Sequence, residues 1–587
     1  MEGFDTMKST FYSINTLADI LGTSVATVQK WGDSGVYPLQ KDKKGRVGFM
    51  SQDLMQIDAI RDMNNGEWSK EFQSRPNRVF TSVELFAGAG GLALGLDMAG
   101  FHHVLLNDFD EQACNTLRVN KPNWNVLEGD IHNVDFTPLH GKIDLLSGGF
   151  PCQAFSYAGK KGGLNDTRGT LFFELARAVN EIRPKVFLCE NVKGLQSHDG
   201  GKTLEIIRNA IKELGYTLVE PRVLKAVMYQ VPQKRERIIL VAIRNDYANK
   251  VTFKWPSPYH RVMTLRDAFF KGELFPTDVP KSEGQLYPDK KRRVMELVPE
   301  GGDWRDLPIE EQKAYMGASF YLGGGKTGMA RRLSMDEPSL TLVCSPAQKQ
   351  TERCHPIETR PLNIREYARI QTFPDNWKFM GKMSDQYKQI GNAVPVNLAY
   401  AIGRAVIRLM NDIDNLSPNK VNFAEVNNIA KSMLPSRPIQ LDLFALLEQH
   451  QDGILAEPKN SYKSNCKNLL ISLVPNKLNN TFDKSEGEIY YSGNKFPSTI
   501  SFNKLQLFVP YIKGKGIRDL YRITKIRVAS KRDVDAKAKK SDYRLFFELK
   551  FIRKIFDEYK PIKLDIWKTY NYSSLENILD QEKTVKQ

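Results

Sequence analysis

Hydrophobic and polar positions give the chain three successive rhythms. In "YSINTLADILGTSVATVQKWGDSGVYP", Leu17, Ile20 and Leu21 fall on one helical stripe and Val25, Val28 and Trp31 on another. Gly22 separates them and Ser24 stands where a second helix would be capped, which predicts two short helices folded across a tight turn. "QKDKKGRVGFM" then predicts a basic hairpin turning at Gly45. From Ser82 the pattern becomes short apolar runs alternating with amphipathic helices. "SVEL", "HHVLLND", "IDLL", "KVFLCENV" and "RIILVAIR" read as strands. "LFFELARAVNEIRP" reads as a helix with Leu171, Phe172, Leu175, Val179 and Ile182 on one stripe, stopped by Pro184. Strand, helix, strand in this order implies parallel pairing with right-handed crossovers, hence an α/β, doubly wound domain. From about Ser461, runs such as "NLLISLVP", "KLQLFVPYIK", "RDLYRITKIRVAS" and "YRLFFELKFI" alternate with period two and predict a mainly-β domain.

Composition narrows the class. The chain has 587 residues, room for three or four domains, and its 41% hydrophobic and 26% charged content is that of a folded protein. No apolar run reads as long enough to span a bilayer, and the polar start "MEGFDTMKST" does not read as a secretory signal. The six cysteines, at 114, 152, 189, 344, 354 and 466, form no close pair of the kind zinc sites use. A reduced, cytoplasmic setting is expected, with no bound metal. The formal net charge of +16 favours a polyanionic partner.

Candidate chemistry gathers at the strand ends. "FAGAGG" puts Gly88, Gly90 and Gly91 between a strand and a helix starting near Leu92, where a backbone turn can approach a ligand at a helix N-terminus. Asp108 ends the next strand about twenty residues on, a spacing that suits the two hydroxyls of a ribose. Asp130 in "LEGDI" ends another and could read an adenine edge. "IDLLSGGFPC" delivers Cys152 after a proline, in a loop with glycines at both ends; "FLCENV" delivers Glu190 and Asn191; "QKRER" offers Arg235 and Arg237 before the fifth strand. In a parallel sheet the glycine loop, Asp108, Cys152 and Glu190 share the carboxyl edge, and the arginine pair is expected on the same side.

The segment from about Arg78 to Met410 resembles the DNA cytosine-5 methyltransferases. "FAGAGG", "PCQAFS", "ENV", "QKRER", "RPLNIREYARIQTFPDNW" and "QIGNAVPVNLA" stand in that family's order. The resemblance implies a Rossmann-like AdoMet-dependent methyltransferase domain with a smaller target-recognition region. It implies S-adenosyl-L-methionine as methyl donor and double-stranded DNA as partner. Cys152 takes the role of the nucleophile that adds to carbon 6 of a flipped-out cytosine, Glu190 holds or protonates the ring nitrogen, and Arg237 with Arg235 engages the base carbonyl and nearby phosphates. The cofactor contacts carried over are Phe86, Ala87, Gly88, Gly90, Gly91, Leu92, Asp108, Asp130, Ile131 and Pro151, with Asn392 and Val394 walling the methionine end. A restriction endonuclease of matching specificity is the implied genetic partner. The N-terminal pattern resembles the MerR and excisionase type of winged helix-turn-helix, which adds operator binding, and with it autoregulation, as an expectation.

The expected organisation is 1–70 winged helix-turn-helix, 78–245 cofactor-binding catalytic domain and 246–355 target recognition. Residues 356–411 close the catalytic domain, 412–460 form a linker, and 461–587 a mainly-β domain. In the recognition region Lys326, Arg331, Arg332, Lys349 and Arg353 are the candidates for DNA contact. In the tail, Glu548 and Lys550 with Asp535 or Asp542 loosely match the acid-plus-Glu-x-Lys arrangement of restriction nucleases, against a nucleic-acid-binding or oligomerising role. Two rival functions share part of the set: a tRNA cytosine-5 methyltransferase, and a non-catalytic DNA-binding regulator. The front module and the long recognition region favour duplex DNA.

Overall fold

The computed structural model describes residues 10–43, 45–150, 171–322, 326–418 and 421–434, and within 435–587 the backbone of seven strands. Two compact units result, Met1–Leu434 and Pro435–Gln587.

The first unit opens with β1 (Phe11–Ser13), α1 (Ile14–Leu21), α2 (Val25–Asp33), β2 (Gln40–Lys41) and β3 (Val47–Met50), the strands ordered β1-β3-β2. Ser13 Oγ accepts from Thr16 N at 3.1 Å and Ser24 Oγ from Thr27 N at 3.0 Å, so a serine caps each helix. Gly22 ends α1 at φ +72°, where a side chain would be strained. Leu17, Ile20 and Val28 are buried with Tyr12 and Phe49. Val25 is not, because it is the first residue of α2 and lies a turn ahead of the packed stripe. Next come α3 (Asp58–Asn65) and α4 (Trp68–Gln73). The polar stretch before residue 78 reads as a spacer but is docked: Trp68 packs on Tyr229 and Tyr259, and Glu71 accepts from Ser257 N and pairs with Arg408 at 3.1 Å.

The main sheet follows. Its elements are β4 (Phe80–Leu85), α5 (Gly91–Ala99), β5 (Phe101–Asp108), α6 (Glu111–Asn120), β6 (Val126–Glu128), β7 (Leu145–Gly148), α7 (Leu171–Ile182), β8 (Val186–Val192) and α8 (Lys202–Glu213). They continue with β9 (Tyr216–Leu218), β10 (Arg222–Lys225), β11 (Gln233–Lys234) and β12 (Glu236–Arg244). The order is β10-β12-β8-β7-β4-β5-β6, with β9 also on β12 and β11 outside the sheet. Pairing from β6 through β8 is parallel, whereas β12 runs antiparallel to β8, so the sheet is mixed. That reversal brings the start of β12 to the carboxyl edge, with Arg237 opposite Val192. One apolar layer contains Phe172, Leu175, Ile207 and Ile211; the other contains Leu92, Leu96, Leu398 and Ile402.

Residues 246–355 are largely irregular around α9 (Asn245–Ala248), α10 (Leu265–Phe269), α11 (Asp289–Glu296), α12 (Ile309–Met316) and β13 (Ser339–Leu340). The chain then returns through α13 (Ile364–Ile370), α14 (Met383–Asn392), α15 (Val396–Leu416) and α16 (Phe423–Met433). "IGNAVPVNLAYAIGRAVIRLM" reads as one helix but is two, because Pro395 lacks an N–H and disfavours the helical state of Val394. Contrary to the sequence reading, this stretch is also long and apolar enough to cross a membrane; 78% of its most apolar window is buried inside the protein. Residues 412–434, expected as linker, are largely helical: α15 runs to Leu416, and α16 buries Val426 and Ala430 in the sheet core.

In the second unit the strands are β14 (Ile454–Ala456), β15 (Leu469–Val474), β16 (Glu486–Tyr490), β17 (Leu507–Ile512), β18 (Asp519–Ser530), β19 (Tyr543–Lys554) and β20 (Tyr570–Ser573). They form one sheet, β16-β19-β18-β17-β15-β20 with β14 on β18, antiparallel except for β15 and β17. The helix expected at "IQLDLFALLEQHQ" lies outside the described residues.

Candidate active site

A cavity of about 310 Å³ opens at the carboxyl edge, where β4 hands over to α5. Phe86, immediately after β4, holds φ +57°, a backbone conformation uncommon for a bulky residue and found where surrounding structure enforces it. Gly90 caps α5 at φ +85°, and a Cβ on Gly91 would stand 2.2 Å from Val394 O. The first glycine supplies the left-handed turn; the second lets the far end of the unit close against the loop. Asp108, at the end of β5, accepts from Gly88 N at 2.7 Å and from Asp110 N at 2.8 Å. Burial pushes its carboxyl up, and those two N–H groups offset part of the push.

The cavity wall brings together Phe86, Ala87, Gly88, Gly91, Leu92, Asp108, Glu190, Asn392 and Val394 from the sequence-derived set. Gly90 stands behind the loop, within 2.6 Å of Leu117 if it carried a Cβ. Asp130 is exposed and accepts from His132 N at 3.0 Å, and Ile131 is buried in the core beneath it; neither lines the cavity. Pro151 and Cys152 lie outside the described residues. The strand that leads to them is fixed. Gly148 is in register with Cys189, a Cβ on Gly149 would stand 3.0 Å from Glu190 Oε2, and Asn191 Nδ2 donates to Phe150 O at 2.9 Å.

Glu190 lines the cavity and is held by Arg237. Arg237 Nε lies 2.7 Å from Glu190 Oε1, and its Nη1 donates to Glu236 O at 2.8 Å. Arg235 is buried. Its Nη1 and Nη2 reach Leu342 O and Asn392 O at 3.4 and 3.3 Å, while Nε has no partner among the described residues. Burial and the neighbouring Arg237 push its guanidinium down to about 9. Arg235 therefore ties the segment at Leu342 to Asn392, and Arg237 faces the carboxylate.

Sequence reasoning missed four polar residues of the wall, Glu84, Asp110, Lys388 and Gln389. Glu84 is buried in β4 and accepts from Ser147 Oγ at 3.1 Å. Burial pushes its carboxyl up to about 8, against the opposing effect of Ser147 and the Ala93 N–H. A charged residue inside the apolar run "SVEL" was the available signal. Asp110 caps α6 and pairs with Lys388 at 2.8 Å; nothing in their spacing, 278 residues apart, links them.

Two of the expected DNA-contact candidates have structural work instead. Arg332 is buried and donates to Val298 O, His355 O and Met295 O, and Arg353 is buried and donates to Thr341 O and Glu352 O. Loops with little regular structure need such donors to satisfy their carbonyls. Arg331 lies 3.5 Å from Asp303, Lys326 Nζ donates to Leu322 O, and Lys349 is exposed. Cys344 Sγ lies 3.2 Å from Asn392 Oδ1, while His355 stacks on Phe269 with ring centroids 5.6 Å apart. In the second unit Glu548 and Lys550 stand in β19, in register with Glu488 and Glu486; Asp535 and Asp542 lie outside the described residues.

A mixed, mainly parallel sheet with a glycine turn, an acid on the neighbouring strand and a cavity-lining carboxylate held by an arginine defines an α/β enzyme of the nucleoside-cofactor class. The family model for C-5 cytosine-specific DNA methylases matches residues 80–408. The Type II methyltransferase M.Eco47II of Escherichia coli is 59% identical over 404 residues, 69% of this chain and 97% of that one. M.PspPI of Psychrobacter sp. is 59% identical over 401 residues, covering 68% and 96%. M.Sau96I of Staphylococcus aureus is 51% identical over 346 residues, covering 58% and 78%. The chain belongs to the C-5 cytosine-specific DNA methylases. It is a site-specific DNA cytosine-5 methyltransferase of the restriction–modification type, and its methyl donor is S-adenosylmethionine.

Proposed function

We propose that the cavity holds S-adenosylmethionine and that the base is bound between Glu190, Arg237 and Cys152. The residues fit the cofactor. The glycine loop leaves room for a ligand against Phe86, Asp108 suits a ribose diol, and the carboxyl groups of Glu84 and Glu190 give the wall polar partners for a ligand. Bound there, the cofactor supplies a methyl group as an electrophile on a sulfonium centre.

The observation that carries the reading is the Arg237–Glu190 pair beside the strand that leads to residue 152. Glu190 uses Oε1 to hold Arg237, and its Oε2 faces Gly149 and addresses the ring nitrogen of a flipped cytosine. Arg237 keeps Nη2 for the base carbonyl, where negative charge develops on attack. The Cys152 thiolate adds to carbon 6, forming the S–C6 bond and making carbon 5 nucleophilic. Carbon 5 takes the methyl group, loses its proton to a base, and the S–C6 bond breaks to release Cys152. The test compares wild type with Cys152→Ser and Glu190→Gln on mixed-sequence duplex DNA, with bisulfite sequencing of the product. Methylated cytosines in one short motif, absent with Cys152→Ser, support the reading. Undiminished transfer by Cys152→Ser overturns it.

The finer organisation belongs to the same proposal: residues 1–70 as a winged helix-turn-helix, 246–355 as the target-recognition region, 461–587 as a mainly-β domain of separate role, a cytoplasmic setting and a cognate endonuclease. Support for DNA contact by the N-terminal segment is its capped helix pair followed by the β2–β3 hairpin, with Thr27, Lys30, Lys41 and Lys43 exposed. Gel shifts of the full chain on its own promoter, against random duplex, test autoregulation; equal affinity for the two overturns it.

A further inference from the structure

The N-terminal segment and the arginine pair meet at one very short strand. β11 pairs in parallel with β13, and its successive side chains go to different parts of the molecule. Gln233 Nε2 donates to Gln371 Oε1 at 2.9 Å, and Gln233 Oε1 accepts from Leu342 N at 3.0 Å. Lys234 Nζ lies 2.7 Å from Asp19 Oδ2 of α1 and 3.5 Å from Glu337 Oε2. Arg235 turns back to Leu342 O and Asn392 O, and Arg237 holds Glu190.

The docking around this strand is dense. Asn15 Nδ2 donates to Glu337 Oε1 at 2.8 Å, so both acids around Lys234 are engaged by α1 or belong to it. Lys225 Nζ donates to Ile20 O at 2.6 Å, near the end of α1, and Lys225 is the register partner of Glu236. Ala226 N donates to Arg235 O at 2.8 Å. Beneath these polar contacts Val227 and Val262 are buried in the same cluster as Tyr12, Leu17, Ile20, Val28 and Phe49. The N-terminal segment thus shares a core with the turn that presents the arginines.

We propose that Asp19 is a positioning residue for methyl transfer, acting through Lys234 on Arg235 and Arg237, so that the N-terminal segment is a working part of the transferase. The proposal rests on the reading of Arg237 and Glu190 as the base-holding pair. The physical argument is geometric. A two-residue strand has little hydrogen bonding of its own to resist displacement, and Lys234 is joined by one peptide to Arg235. The Asp19–Lys234 pair is mostly shielded from solvent on both sides, where an ion pair holds its geometry better than at the surface. A shift of the chain at 234 moves both guanidinium groups, and small misplacements of catalytic groups are costly in rate.

The experiment uses the full-length enzyme, duplex DNA carrying its methylation site, and labelled S-adenosylmethionine. Asp19→Asn preserves shape and removes the charge; Asp19→Glu keeps the charge; Arg237→Ala tests the underlying reading. The expected result for Asp19→Asn is a kcat about tenfold lower. KM for the cofactor should stay within about twofold and Tm within about three degrees of wild type, with Asp19→Glu restoring most of kcat. Wild-type kcat in Asp19→Asn overturns the proposal, as does a loss that follows a matching fall in Tm or that Asp19→Glu fails to restore. Undiminished transfer by Arg237→Ala instead overturns the reading on which it rests.

Discussion

At the amino edge of the central sheet Asp144 is fully buried, just before β7. Arg78 donates to both its oxygens at 2.9 and 2.7 Å, Lys185 lies 3.1 Å away, and Thr81 N adds a bond at 3.0 Å. At the carboxyl edge Glu84 is just as buried, but among the described residues its donors are one hydroxyl and one N–H, with no cation. Burial pushes both carboxyls up. At Asp144 the two cations outweigh it and hold the group below the ordinary range; at Glu84 burial wins. The same sheet therefore treats buried acids in opposite ways. One edge balances its buried acid with cations and holds the strands together; the other leaves the Glu84 carboxyl without a cation, protonated beside a cavity.

Four substitutions sharpen or break that contrast. Asp144→Ala leaves buried Lys185 without its counter-charge, while Arg78 keeps Asp414 at 2.7 Å, and should cost about 3 kcal/mol in urea unfolding. Activity per folded molecule should be retained, and lost activity in the folded fraction would put Asp144 in the wrong category. Glu190→Gln should act mainly on rate, lowering kcat about a hundredfold while costing less stability than Asp144→Ala because the amide oxygen still accepts from Arg237, read by labelled methyl transfer beside a melting curve. For Glu84 the sign follows from its raised carboxyl. Between about 4.5, the unfolded value, and about 8 the native state keeps a proton that the unfolded chain releases, so stability falls as pH rises through that window. Glu84→Gln should remove a decline of about 2 kcal/mol between pH 6 and 8, measured by urea unfolding at both. Lys185→Met should cost least, about 1 kcal/mol, because Arg78 still engages both oxygens of Asp144; a loss equal to that of Asp144→Ala would mean the two cations act as one unit.

Much of this was legible beforehand where the signal is local. A helix stripe, a glycine turn or an acid ending a strand is set by neighbours within a few residues, and Gly88, Asp108 and Glu190 were found that way. Missed features depend on distant partners. Asp110 meets Lys388 across most of the unit, and α16 looked like linker because its buried stripe, Val426 and Ala430, is narrow and set among asparagines. Arg332 and Arg353 were misread as DNA-facing because an arginine that satisfies buried carbonyls has the same letter as one that meets a phosphate. The break at Pro395 was misread although the letter was plain, because the apolar periodicity continues through it.

That break has a consequence for how the enzyme comes into being. Phe86 to Leu92 are made early, but the wall facing them, Asn392 to Val394, arrives only after residues 246–355 have been synthesised. Gly95 and Gly403 then let α5 and α15 interlock, since a Cβ on either would strike the other helix or its side chains at 2.4–2.8 Å. A nascent chain halted before Asn392 carries the glycine loop, Asp108 and Glu190 and yet lacks the facing wall of the cavity. Vectorial synthesis thereby delays completion of that cavity until residues 246–355 have been made.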